Sequence, residues 1–215
     1  MIPGHLQLSA FMSGFSFMLL AVIPAAGHST RMGRPKLSLP LGDRTVLEWT
    51  IGSLKSVAGC EALVVIGPHT PELARLVESA GAHLLQIEHP TPDMRATVEA
   101  GLDWLEKRFA PAPNDAWLLC PADVPIVEPG VIRQLAVDSR SSGGVRIPTH
   151  AGKRGHPALI GWKHVAGIRA FPAGRGLNEY FRQCGIVEVP VNSDTILLDL
   201  DTPEDYARLR ERLAV

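Results

Sequence analysis

Residues 22–36, VIPAAGHSTRMGRPK, decide how this chain is read. They open as a short apolar run, the pattern of a buried strand. The run then breaks into a small-residue loop holding Gly27 and Gly33, with Arg31 and Lys36 as cations. Small residues let backbone N–H groups come close to an anion, and the two cations neutralise it. A strand feeding such a loop points to a nucleoside triphosphate site. Two better-known phosphate loops do not fit. A P-loop needs G-x-x-x-x-G-K followed by Ser or Thr, whereas Gly33 precedes Arg34-Pro35-Lys36. The dinucleotide fingerprint G-x-G-x-x-G fails because Gly27-His28-Ser29 lacks the second glycine. The bland alternative is an ordinary Gly-rich turn between a strand and a helix.

Outward from this loop, apolar runs alternate with helix-period segments, which argues for an α/β fold with a mainly parallel sheet. Strands are expected at 19–23, 62–66, 83–87 and 116–120, then shorter ones at 145–148, 158–160, 186–191 and 195–198. Helices are expected at 45–56, 71–80, 94–109 and 129–139, near 162–170 and 177–183, and at 203–213. In 94–109 the apolar positions Val98, Gly101, Leu102 and Leu105 share one face. The Ser141-Ser142-Gly143-Gly144 bend divides a nucleotide-binding half, 18–143, from an acceptor-binding half, 144–215.

A chain of 215 residues suffices for one domain with a large core. Its 46% hydrophobic and 20% charged content fits a globular protein. A net charge of −1 without a long basic run leaves no electrostatic footprint for nucleic acid. Cys60, Cys120 and Cys184 form neither a metal spacing nor a disulfide framework, and their usage suits a reducing cytoplasm. Residues 1–26 contain no Lys or Arg, so the apolar stretch at 11–23 lacks the positive flank of a signal peptide. Ser13, Gly14 and Ser16 interrupt it, and it is short of the roughly 20 residues a membrane span needs. Residues 1–17 are therefore expected to be a poorly ordered extension before a single domain at 18–215, with Met12 or Met18 as a candidate start.

Ligands bind at the carboxyl ends of parallel strands in open α/β sheets. The first strand delivers the 27–36 loop there, and the 116–120 strand delivers Asp123 to the same edge. A carboxylate opposite a phosphate loop suits Mg²⁺, which takes one or two carboxylates plus substrate phosphates. Asp199 and Asp201 stand at alternate positions ending the last expected strand and so share a face. The competing reading has Asp201 merely capping the helix that begins at Pro203. A unit charge about 4 Å from a phosphate is worth roughly 4 kcal/mol at an effective dielectric near 20, so Arg31 and Lys36 matter if they reach one. Ser29 adds a hydroxyl donor.

The pattern A-A-G-x-S-x-R-M-G-x-x-K, standing here as Ala25 to Lys36, resembles the signature loop of the molybdenum-cofactor nucleotidyltransferase family, the MobA-like NTP transferase domain. Three later segments agree in order and spacing: Ala122-Asp123-Val124-Pro125, Arg154-Gly155-His156-Pro157, and 198–206, LDLDTPEDY. The last two resemble the molybdenum cofactor cytidylyltransferase branch. The resemblance implies a Rossmann-like, GT-A-like NTP transferase fold, three α/β/α layers around a mainly parallel mixed sheet. It implies nucleotide binding by Ala25, Ala26, Gly27, Ser29, Arg31, Gly33, Lys36 and Thr97, and catalysis by Arg31, Lys36 and Asp123. Asp123 and Asp201 would contact Mg²⁺, and His156 and Asp199 would lie at the acceptor. The implied reaction is transfer of NMP from an NTP, CTP favoured, to a phosphorylated acceptor, molybdopterin or the molybdenum cofactor, with release of pyrophosphate. A molybdoenzyme or its chaperone is the implied protein partner; no nucleic acid or membrane partner is expected.

One segment departs from that pattern. Where the cytidylyltransferases read G-M-S-x-S-L, this chain has Asp93-Met94-Arg95-Ala96-Thr97-Val98. The helix start and one hydroxyl survive, and the base and acceptor stay open. The alternatives are a sugar-phosphate or other small-alcohol-phosphate nucleotidyltransferase, and a nucleotide- or cofactor-binding chaperone without turnover.

Overall fold

A computed structural model describes residues 17–27, 35–137 and 144–213. The expectations for residues 1–16, for Ser29, Arg31 and Gly33, and for the bend at 141–143 lie outside the described residues. The central strand β1, Leu19–Ala25, runs parallel to β4, Cys60–Ile66, on one side and to β6, Ala116–Leu119, on the other. A parallel strand with both faces covered reads as a continuous apolar run. Leu19, Ala21 and Ile23 accordingly enter one core, and Leu20 and Val22 enter the other.

Between β1 and β4 lie a short hairpin and a helix. The hairpin is β2, Pro40–Leu41, with β3, Arg44–Thr45, turning at Gly42 with φ of 70°. It leads into α1, Val46–Lys55, where Thr45 and Glu48 form a capping box. Next come α2, Leu73–Ser79, β5, His83–Gln86, and α3, Met94–Phe109. The chain continues through β6 to α4, Pro129–Ala136, and then β7, Val145–His150. The short β8, Lys153–Arg154, turns back to β9, Ala158–Gly161. The chain ends with α5, Val165–Ala170, α6, Leu177–Cys184, β10, Ile186–Pro190, and α7, Pro203–Arg212.

The sheet order is β10-β7-β9-β6-β1-β4-β5, with β8 paired to β7. Strand β9 is antiparallel to both β6 and β7, so the sheet is mixed and mostly parallel. Helices α1, α2, α4 and α7 pack on one face; α3, α5 and α6 pack on the other. The three-layer α/β/α expectation therefore holds. Helix α3 lies close across β1 and β4: a Cβ on Gly101 would stand 3.0 Å from Val22 Cγ1 and Val65 Cγ2. That approach brings the first turn of α3 to the carboxyl end of β1.

Two expectations are corrected. Helix α2 begins at Leu73 rather than Pro71, because residues 70–72 form a turn whose carbonyls accept from Leu73 and Ala74. Residues 195–198 are not a strand. Asp194–Leu197 form a 3₁₀ turn capped by Ser193, whose hydroxyl accepts from the Thr195 N–H. Short hydroxyl side chains offer the backbone local bonds that compete with a sheet ladder. Asp199 and Asp201 therefore lie on an unpaired segment, and the alternation of a strand does not orient them.

Candidate active site

A cavity of about 350 Å³ opens at the carboxyl end of β1, lined by Ala25, Ala26, Gly27, Lys36, Thr97 and Asp123. These six expected residues come together from four separate segments. At its mouth the Lys36 ammonium donates to Asp123 Oδ2 at 2.6 Å, to Asp201 Oδ1 at 2.9 Å and to the Leu200 carbonyl at 2.8 Å. Burial alone would lower the Lys36 pKa, but hydrogen bonding and charge attraction from Asp123 and Asp201 outweigh it and hold the pKa above its ordinary value.

Several supports fix this cluster. Backbone bonds from Val46 to Leu39 and from Leu47 to Leu37, each 3.0 Å, dock the segment after Lys36 onto the start of α1. The Thr50 hydroxyl donates to the Ala122 carbonyl at 2.9 Å, and Ser53 to Pro125 at 2.8 Å, so α1 also holds the loop bearing Asp123. Leu200, fully buried, donates its N–H to the Asp123 carbonyl at 3.0 Å and ties the 199–201 segment alongside. The competing role for Asp201 is excluded, because Thr202 is the N-cap of α7 and forms a capping box with Asp205. Thr50 and Ser53 escaped the sequence reading; the available signal was a polar Thr within the inward stripe of an otherwise apolar helix face.

Asp199 remains exposed, yet partial desolvation and the charges of Asp123, Asp201 and Asp205 outweigh a hydrogen bond from its own backbone and raise its pKa. His156 is held by a backbone bond from its N–H to the Ile196 carbonyl at 2.9 Å. Burial lowers its pKa more than the charges of Asp123 and Asp199 raise it. Its Nδ1 is buried without a hydrogen-bond partner among the described residues. His156 belongs to a second cavity of about 280 Å³, whose lining includes the apolar Leu119 and Phe181 and the polar Arg154, Asn178 and Arg182.

Thr97 lines the first cavity, but its hydroxyl is shared with Thr91 at 2.6 Å and donates to the Asp93 carbonyl at 3.3 Å. It braces the approach to α3. Met94 lines the same cavity with 55% of its surface exposed, an apolar contact the sequence reading did not single out. Among the described residues, no group of three or more His, Cys, Asp and Glu side chains is arranged to hold a metal ion. The pair Asp123 and Asp201, already gripping one cation, matches an ion that takes two carboxylates and completes its shell with substrate oxygens. No helix among the described residues is long and apolar enough to cross a membrane.

A central parallel strand that opens into a cavity with a lysine set between two carboxylates defines an α/β protein whose ligand site lies at the carboxyl edge of its sheet. Residues 21–189 match the family model of the MobA-like NTP transferase domain, and the chain belongs to that family of nucleotidyltransferases. It is 23% identical over 193 residues to the molybdenum cofactor cytidylyltransferase of Escherichia coli K12, spanning 89% of this chain and 95% of that one. Over 48 residues, 22% of each chain, it is 48% identical to a 2-C-methyl-D-erythritol 4-phosphate cytidylyltransferase of Thermus thermophilus. A Mycobacterium tuberculosis H37Rv protein crystallised as a complex with manganese shares the fold, with a TM-score of 0.67 and 22% identity over 90% of this chain and 98% of that one.

Proposed function

We propose that this enzyme transfers CMP from CTP to the phosphate of molybdopterin or of the molybdenum cofactor, with Mg²⁺, and releases pyrophosphate. The observation that carries the reading is the Lys36 ammonium set between Asp123 and Asp201 at the mouth of the Ala25–Gly27 cavity. An acceptor phosphate oxygen attacks the α-phosphorus in line; that P–O bond forms as the bond to the β-phosphate oxygen breaks. The attacking phosphate is already ionised, so the step needs no general base from the protein.

Asp123 and Asp201 would hold Mg²⁺, which supplies neutralisation of the charge on the transferring phosphoryl group. The manganese complex of the M. tuberculosis relative supports a divalent ion for the fold. Lys36 lines the same cavity, so its ammonium would turn to the triphosphate with the two carboxylates given over to the metal, and Arg31 would act with it. Backbone N–H groups at Ala26 and Gly27, with Ser29 and Gly33, cradle the phosphates. Met94 packs against the nucleoside, so residues 18–143 serve the nucleotide. The acceptor is received by residues 144–215, where His156 lines the second cavity and Asp199 would lie at the acceptor. Catalysis is then positioning and electrostatics. The three free cysteines, two of them buried, support a cytoplasmic setting.

The match to the Thermus protein favours a second reading, in which the acceptor is a small-alcohol phosphate. The deciding experiment supplies Mg²⁺ with CTP, GTP or ATP and either molybdopterin or 2-C-methyl-D-erythritol 4-phosphate, then follows pyrophosphate release and product mass. CTP with molybdopterin is expected to give product, and Asp123→Ala to reduce the rate by about 100-fold or more. Release unchanged in Asp123→Ala, or no release from any pair, overturns the reading.

A further inference from the structure

The first turn of α3 carries an arginine that faces away from the nucleotide cavity. Arg95 is 8% exposed, and all five of its guanidinium N–H groups have protein acceptors. Nε donates to Glu99 Oε1 at 2.8 Å. Nη1 donates to the carbonyls of Pro172 at 2.8 Å and Arg175 at 3.1 Å. Nη2 donates to the carbonyls of Ile168 at 2.8 Å and Phe171 at 2.7 Å. The guanidinium also lies 5.6 Å from the Phe171 ring centroid, and Arg175 sits on the same ring at 4.9 Å.

Four of these acceptors belong to the end of α5 and the turn into α6. Carbonyls at the end of a helix carry partial negative charge, which a cation satisfies, and here the guanidinium adds to the Phe171 N–H that Ile168 already accepts at 3.2 Å. The rigid fork of arginine reaches several carbonyls at once, as a point-like ammonium does not. The serine that stands here in the cytidylyltransferase pattern is too short to reach them.

The two ends of this clamp serve different cavities. Asp93, Met94 and Thr97, on the turn that carries Arg95, line the nucleotide cavity. Asn178, Phe181 and Arg182, just beyond the clamped turn, line the second cavity. We propose that Arg95 is a positioning residue that couples the two cavities, so that a nucleotide held against the first turn of α3 orders residues 168–182 on the acceptor side. This rests on the nucleotide-site reading above. The physical reason is that the α3 turn cannot shift alone without leaving a buried guanidinium short of its acceptors.

Hydrogen exchange on the full chain, with and without Mg²⁺ and CTP, GTP or ATP, tests it against Arg95→Ser and Arg95→Lys. In the wild type, nucleotide is expected to slow exchange at 24–27 and 91–98 and, by roughly fivefold or more, at 168–182. Arg95→Ser keeps the first effect and loses the second; Arg95→Lys keeps part of the second. Wild-type protection confined to the nucleotide cavity overturns the coupling even if Arg95→Ser does not fold, as does coupling unchanged in Arg95→Ser. No protection anywhere with any of the three nucleotides instead overturns the nucleotide-site reading, and the coupling falls with it.

Discussion

Lys36 Nζ lies 2.6 Å from Asp123 Oδ2, joining residues 87 positions apart in the chain. Both side chains are only 18% exposed, and Asp201 completes the cluster at 2.9 Å. One ammonium compensates two carboxylates that would otherwise repel each other in a partly buried cleft. The same contact that stabilises the fold therefore also holds the binding groups in place.

Lys36→Met removes that compensation. Stability in EDTA is expected to fall by about 1–3 kcal/mol, the cost of leaving a desolvated charged group without its partner. Urea unfolding measures it, and added Mg²⁺ or Mn²⁺ should recover more stability in the variant than in the wild type. Because the folded pKa of Lys36 is raised, its contribution is full below the unfolded value of about 10.4 and fades as pH rises through the folded one. Lys36→Met should lack that alkaline loss.

Thr202 and Asp201 are neighbours with separate duties. Thr202→Ala breaks the capping box of α7 and should lower stability by about 1 kcal/mol while leaving nucleotide binding unchanged. Asp201→Ala should keep the cap while weakening Mg²⁺-dependent nucleotide binding in calorimetry. Mg²⁺-dependent binding unchanged in Asp201→Ala, or weakened alike in Thr202→Ala, would contradict the assignment.

Gly155 lies against the backbone of the turn before the acidic segment. A Cβ there would stand 2.2 Å from the Ile196 carbonyl oxygen, a distance no relaxed structure accommodates. Gly155→Ala should push that turn away, cost about 1–3 kcal/mol in urea unfolding and reduce turnover through displaced Asp199 and Asp201. An unchanged midpoint would show that the turn yields freely.

His156 gives a pH signature of opposite sign to Lys36. Its folded pKa is lowered, so below the unfolded value of about 6.5 the unfolded chain binds the proton first. Wild-type stability relative to His156→Gln should be constant above that pH, fall as pH drops through it, and level off below the folded pKa. Chemical denaturation from pH 7.5 to 4.5 checks the trend; parallel curves would mean the ring titrates alike in both states.

The helix expected at 94–109 has the observed ends, Met94 and Phe109, because its signals are local: an Asp93 cap, a 3.6-residue apolar period and no internal proline. The apolar runs of β1, β4 and β6 were equally legible, since both-face burial demands continuous hydrophobicity. The short hairpin at 40–45 and β8 were not, because two-residue strands carry no periodicity. The segment 194–197 is a 3₁₀ turn and not extended: its apolar Ile196 and Leu197 suggest a strand, while the Ser193 hydroxyl that accepts from the Thr195 N–H bends it back and itself donates to Glu128, 65 residues earlier.

By itself, then, the sequence determined the alternation of strands and helices, the run of small residues after β1 and the two acidic segments, since residue identity and periodicity are local properties of the chain. Only the tertiary structure decided that Lys36 bridges Asp123 and Asp201, that Thr50 holds the Asp123 loop, and that Arg95 grips the end of α5. Those contacts span 72 to 165 residues of chain, and an ammonium or guanidinium on a flexible stem has no preferred partner until packing brings one within reach.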